Sequence, residues 1–573
     1  MMSWALPGSK EGASLMSRNT GTKNSFVAGA AILGIAGLIV KVIGAVYRIP
    51  LANIVGDEGM AYYEVAYPYY SWLLVISSAG LPTAVSKLVS ERIALNDSVG
   101  AKRVFRSAMR LLFCIGIVTT FLLFALSGSI ASLSGVEQAK YSLMALSPAL
   151  FFVSIMCAYR GYLQGMQCMT GTALSQIVEQ LIKLAVGFSL AFYFTKTQPS
   201  RPELAAMGAL IGVSVSELTA LIVIKIYYEI SLKKHALPIT VIDRRTGPKR
   251  GPTMRSITKK LLLVAIPITI GASIMPITGI ADSVFIVNIL KSNGINGFAE
   301  KLTAEEALSA AKSAYTVLRS YVTPLINMPA VLTLSLSMSL VPAISQAVTQ
   351  RDMRTLKNAG STGLKLAMFI GAPCAAGLFV VGGPIMAMLY TAVRSSEAKF
   401  AQAQQVMYIA AIGVLFLSLV QTLTGIIQGM GKPRIPVYFL AIGGAVKVIS
   451  MILLMKFTNL GILGAALSTV LCYACAGIAD TVYFIKTAKL SISYLDAFVK
   501  PILSSVVMGI AVWGAYSVIV KTTSSFRIAT LLSICVGIVV YAAAMLVLRP
   551  FNSDDFDFIP KGEKLKKLFK VTK

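Results

Sequence analysis

The chain has 573 residues, of which 56% are hydrophobic and 13% charged, with a formal net charge of +28. So little charge cannot cover the surface of a soluble protein of this size. Apolar stretches of about 20 residues recur throughout, each long enough to cross a bilayer as a helix, while the short alternating segments of a transmembrane β-barrel are missing.

Residues 1–24 are polar, carry Lys10, Arg18 and Lys23, and read as a cytoplasmic tail rather than a cleaved signal peptide. Fourteen spans follow, at about 25–48, 62–86, 107–130, 139–163, 173–194, 205–230, 257–290, 313–345, 366–390, 402–427, 435–457, 461–485, 497–520 and 526–548. The loops on the side of the N-terminus carry roughly three times as many Lys and Arg as the opposite loops, which puts both termini in the cytoplasm. The positive charge therefore marks topology and contact with anionic lipid, not a nucleic-acid groove.

The spans repeat. GYLQGM at 161–166 returns as GIIQGM at 425–430, and the same offset carries Lys183 onto Lys447. LPTAVSKLVSERI at 81–93 resembles VPAISQAVTQRDM at 341–353, and MGALIG at 207–212 resembles LGAALS at 463–468. Six helices per copy is an even number, so the copies enter the membrane in the same sense. The fold expected is all-α, with an N-lobe at 25–230 (spans 1–6), a basic linker at 231–256 and a C-lobe at 257–490 (spans 7–12). Two added helices occupy 491–549 and a basic cytoplasmic tail 550–573. Two like-oriented bundles suit a transporter whose substrate sits between them.

A charged side chain at the centre of a membrane helix costs about 2.5–3.5 kcal/mol on insertion scales, so it faces a partner or a wet cavity. Gln176, Glu179, Gln180 and Lys183 share one helix face, where Glu179 and Lys183 can pair. Lys41 and Arg48 lie seven residues apart in span 1, with no acid nearby in sequence. Arg319 in span 8 is followed by Pro324 and Pro329, which break the helix ladder. Lys41, Arg48, Arg160, Lys183, Arg319 and Lys447 together would make a cationic cavity, and Glu64, Glu179 and Asp282 are candidate ion-coupling or pairing acids. Arginine grips phosphate oxygens bidentately and lysine adds point charge, so a diphosphate would suit such a cavity. Glu217 and Asp480 each sit in the sixth helix of their copy.

Other motifs are weak. Cys472 and Cys475 form CxxC inside an apolar helix, His235 is the only histidine, and no metal site is expected. Asp554, Asp555 and Asp557 mimic a DxD pattern and read as solvated tail surface. No loop is long enough for a catalytic domain, and no phosphate-binding glycine loop is present, so neither an enzyme nor direct ATP use is expected.

RGYLQGMQCMTGTALSQIVEQLIKL, KVIGAVYRIP, AGLPTAVSKLVSER and GIIQGMGKPRIP resemble the polysaccharide-biosynthesis and stage V sporulation protein B family. That family is similar to the MurJ lipid II flippases of the MOP exporter superfamily, and the likeness covers essentially the whole chain. It implies transport of an undecaprenyl-diphosphate-linked sugar, lipid II in peptidoglycan synthesis, across a bacterial plasma membrane by a monomer. Basic residues of helices 1, 2 and 8 would surround the cavity, and the two added helices would line a groove for the lipid tail. Lys41 falls at a matching basic position, Arg48 and Arg319 are displaced by about one to four residues, and span 2 has Glu64 but no central arginine. No cofactor is implied. The driving force would be membrane potential, Na+ or H+, and cell-wall polymerases are the partners expected. A capsule or spore-polymer unit as cargo, and cation-coupled drug export, both stay open.

Overall fold

The computed structural model describes residues 10–234, 253–293, 303–488 and 493–558, all helix and short connections with no strand among them. The basic linker with His235 and most of the basic tail lie outside the described residues. The helices are α1 Lys10–Ser78, α2 Leu81–Ala94, α3 Ser98–Ala125, α4 Ser127–Leu133, α5 Ala139–Gly165, α6 Met169–Thr197 and α7 Pro202–Lys234. They continue as α8 Met254–Asn293, α9 Ala304–Thr316, α10 Thr323–Thr349, α11 Met353–Leu389 and α12 Glu397–Gly429. The last four are α13 Arg434–Phe457, α14 Ile462–Ala488, α15 Lys500–Thr523 and α16 Phe526–Leu548.

Among the described residues, 12 helices are long and apolar enough to cross a membrane, or 13 if the bent pair Ala304–Ser335 and Leu340–Thr349 is one span; this count takes Ile39–Ala94 as a single unit and does not confirm fourteen. The difference arises at the start. The first two expected spans run through α1, which also reaches back into the stretch read as a tail. Its helical geometry breaks at Gly56 (φ 72°, ψ −179°), a conformation open to glycine but not to a residue with a Cβ. Arg48 pairs with Glu64 across this point. In an unbroken helix those sixteen residues would separate them by about 24 Å, beyond the reach of the two side chains. The chain therefore turns back on itself at Gly56, and that end of the molecule is called the hairpin face below.

The sequence repeat has a backbone counterpart. Both QGM motifs close a helix, α5 and α12, and each is followed by a left-handed residue, Gln167 (φ 59°) and Gly431 (φ 78°). Both LPTAVSK-like motifs lead to a left-handed residue, Asn96 or Arg351, and then to an aspartate cap. Asp97 accepts from the Gly100 amide, and Asp352 from the amides of Arg354 and Thr355.

The apolar core is distributed unevenly. Towards the hairpin face, one continuous cluster joins both lobes, from Leu51 and Tyr70 through Leu146 and Leu210 to Tyr315, Tyr390 and Met451. Towards the opposite face the core divides. Leu81, Val89, Leu112 and Tyr162 form one cluster, and Leu340, Leu364, Leu423 and Phe484 another. α8 departs from the expected lobe boundary: Ile257, Leu261 and Ala265 pack in the N-lobe cluster. Gly80 permits this, because a Cβ there would stand 2.3 Å from the Ala265 carbonyl oxygen.

Candidate functional site

Where the shared core ends, a cavity of about 340 Å³ opens between the lobes. α1 contributes Tyr67 and Pro68, α8 contributes Gly279 and Asp282, and Arg319 and Lys447 come from the turn before α10 and from α13. Arg319 sits in a widened π-helical turn, Val317–Val322. Pro324 has no N–H for the carbonyl four residues earlier, so the ladder slips, and the Thr323 hydroxyl donates to the Leu318 carbonyl at 2.6 Å. Gly279 lets the lobes approach; a Cβ there would lie 3.2 Å from Pro68 and 3.8 Å from an Arg319 nitrogen.

Five of the nine residues singled out by sequence meet here as a ladder of alternating charge. Lys447 donates to Asp282 at 2.7 Å, and Arg319 reaches the same carboxylate at 3.4 Å. Arg319 Nε lies 4.0 Å from Glu64, which pairs with Arg48 and accepts from the Ser320 hydroxyl at 3.0 Å. Arg48 also donates to the Arg319 carbonyl at 3.4 Å. Three cations against two carboxylates leave one net positive charge. Pairing is incomplete: Nε of Arg48, Nε of Arg319 and Oδ1 of Asp282 are buried without a hydrogen-bond partner. The ladder crosses the lobes at one point, where Arg319 and Ser320 of the C-lobe meet Glu64 and Arg48 of the N-lobe, so relative movement of the lobes acts on these contacts.

The other four sequence candidates lie elsewhere. Arg160, Glu179 and Lys183 are inside the N-lobe, where Glu179 pairs with Arg160 at 3.0 Å and not with Lys183 as the helical spacing suggested. The guanidinium of Arg160 reaches across from α5 and is also held by Ser175 at 3.2 Å, while the Lys183 ammonium stands 5.7 Å from the Tyr67 ring centroid. Tyr67 is also part of the cavity wall, so the N-lobe group is one ring away from it. Lys41 is exposed on α1 towards the divided half and does not line the cavity.

Two clusters escaped the sequence reading. At the hairpin face, Asp57 pairs with Lys399 and accepts from Tyr321, and it accepts from Ser313 at 3.1 Å. Beside it, Glu58 pairs with Lys312 at 2.7 Å, and Asn53 holds the Thr391 amide at 2.8 Å. These charges fall in stretches read as short outer loops, and only the acidic pair beside a turning glycine hinted at a latch. The second is in the tail. Asp555, read as solvated, is buried, binds Lys365 at 2.7 Å and Thr362 at 2.5 Å, and is flanked by buried Phe551 and Phe556. The aromatic residues carry the tail segment onto α11, and the buried lysine fixes the acid there; the side chains of Asp554 and Asp557 lie outside the described residues.

The polysaccharide biosynthesis protein family model matches residues 26–348, more than half of the chain. The chain belongs to this family. The MatE family model matches residues 295–453. Stage V sporulation protein B of Bacillus subtilis is 25% identical over 548 residues, covering 94% of this chain and 98% of its own. Lipid II flippase MurJ of the same organism is 25% identical over 496 residues, covering 84% of this chain and 87% of its own. Among solved structures, lipid II flippase MurJ in an inward closed conformation superposes with a TM-score of 0.66 over 90% of this chain and 98% of that one, at 17% identity, a likeness of fold. The protein is a multi-span helical transporter related to the MurJ flippase and stage V sporulation protein B.

Proposed function

We propose that this protein is a flippase carrying an undecaprenyl-diphosphate-linked saccharide, with lipid II the first cargo to test, from the inner to the outer leaflet by alternating access. The observation that carries the reading is the cross-lobe charge ladder in the inter-lobe cavity. A diphosphate can replace Asp282 on Arg319 and Lys447, exchanging one anion for another without stranding either cation. Lys41, exposed on α1, offers a first positive charge on the way in. A wholly separate feature suits the lipid: an apolar groove of about 730 Å³ between α10, α11, α15 and α16, lined by Met328, Phe369, Met508 and Tyr541 among others. A prenyl chain can lie there while the polar head crosses.

The bias of Lys and Arg places the basic loops inside, which makes the hairpin face the outer one and the divided half the one open to the cytoplasm. The setting proposed is a bacterial plasma membrane with anionic lipids at its inner face and cell-wall polymerases taking the cargo outside. The transporter works as a monomer, driven by membrane potential, Na+ or H+. A second reading, cation-coupled drug export, is favoured by the MatE match and by the acids within the ladder.

The test is lipid II sidedness after rapid depletion of the protein in cells lacking any other flippase, scored with an impermeant reagent. Under the proposal the outer-face signal falls while total lipid II accumulates. Unchanged outer-face lipid II excludes this cargo and sends the search to other prenyl-linked sugars and to drug efflux.

A further inference from the structure

Glu217 takes no part in the ladder or the groove. It lies in the middle of α7 inside the N-lobe and is 6% exposed. Its Oε2 is fully buried and meets no hydrogen-bond donor. The groups within electrostatic reach come from every helix packed around it. α6 brings Glu179 and Lys183, α5 brings Arg160 and Cys157, and α1 brings Tyr70. The two cations are occupied: Arg160 is committed to Glu179 and Ser175, and Lys183 to the face of Tyr67. On two helices that pack against α7, Tyr47 Oη of α1 and Gln176 Oε1 of α6 are likewise buried and unpaired. An ionised carboxylate without a donor, beside a second carboxylate and away from water, is the costliest state available to these atoms. A bound proton removes that cost.

We propose that Glu217 is a proton-binding site, and that Glu217 and Glu179 share Arg160 so that the carboxylate paired with the guanidinium is ionised and the other holds a proton. In the state described here Arg160 pairs with Glu179, and the proton is on Glu217 Oε2. Moving Arg160 to Glu217 releases that proton, and Glu179 then takes one up. Lys183, on the same helix as Glu179, stands 5.7 Å from the ring centroid of Tyr67, which lines the cavity, so the pair lies one ring from the cavity wall. Proton occupancy follows from these atoms alone; its use to drive cargo movement rests on the flippase reading above.

Infrared difference spectra of the full-length protein in lipid bilayers read the first part directly. A carboxylic acid has a C=O stretch that a carboxylate lacks. Glu217→Gln is expected to remove one such acid band. Glu179→Gln, which leaves Glu217 in place, is expected to remove the same band, because Arg160 then turns to Glu217 and ionises it. Loss of carboxylate bands only, in either variant, overturns the proposal; the second variant keeps the test decisive if the first does not fold. In vesicles loaded with lipid II, an imposed pH gradient is expected to speed translocation by the native protein and to leave Glu217→Gln indifferent. Equal acceleration of both proteins refutes coupling through Glu217. Failure of the native protein to move lipid II under any condition counts against the flippase reading and leaves the infrared result standing.

Discussion

The two halves of the molecule differ in how the lobes meet. Towards the hairpin face they share a single apolar core, sealed by Asp57 with Lys399 and by Glu58 with Lys312. Towards the other face each lobe keeps its own core. The cavity and its charge ladder lie where one regime gives way to the other. A shared core cannot open without exposing apolar surface, whereas a latch of polar pairs can be exchanged for water at small net cost. Closure on one side thus combines a general apolar seal with a few reversible contacts, which is what alternation between two open states needs.

Breaking the ladder at its centre should have the largest effect. Glu64→Ala strands Arg48 and leaves Arg319 to Asp282 alone, and is expected to cost about 3–5 kcal/mol of stability, seen as a lowered unfolding midpoint in detergent, with translocation lost. The latch comes next. Asp57→Asn keeps the shape but removes the charge behind the bonds from Lys399, Tyr321 and Ser313, and should cost about 1.5–3 kcal/mol in all. Its expected sign is a shift towards the outward-open state, read as faster labelling of a Ser71→Cys thiol in the cavity wall by an impermeant reagent added outside. Gly279→Ala inserts a methyl 3.2 Å from Pro68 and should cost about 1 kcal/mol while slowing transport, a separation measurable by comparing the unfolding midpoint with the turnover rate. Lys41→Ala should be smallest on stability, within about 0.5 kcal/mol, because it is exposed. Any slowing of lipid II translocation in that variant then reports cargo capture alone.

Much of this was legible in the sequence, for physical reasons. A charge inside an apolar span is expensive, so Arg48, Glu64, Asp282, Arg319 and Lys447 stood out before any coordinates, and the QGM repeat carried the two-lobe plan. Pairing was not legible. Helical spacing offered Lys183 to Glu179, but a guanidinium on the neighbouring helix binds it instead, and no local rule sees across helices. The latch was missed because Asp57 and Lys399 sit in segments where charge is cheap. The role of Asp555 was hidden for the same reason: a tail reads as solvated until its aromatic neighbours bury it. The fourteen-span expectation met a hairpin too tight to interrupt the helix pattern, since a single left-handed glycine reverses the chain.

The most direct test of alternating access is to lock the hairpin face. Asn53 and Thr391 touch across the two lobes at 2.8 Å. Cysteines placed at both positions, in a chain whose seven native cysteines are replaced, can be joined by a short thiol cross-linker and assayed for lipid II translocation in vesicles. The account predicts that cross-linking stops translocation and that cleaving the linker restores it. Undiminished translocation with the cross-link intact would contradict it.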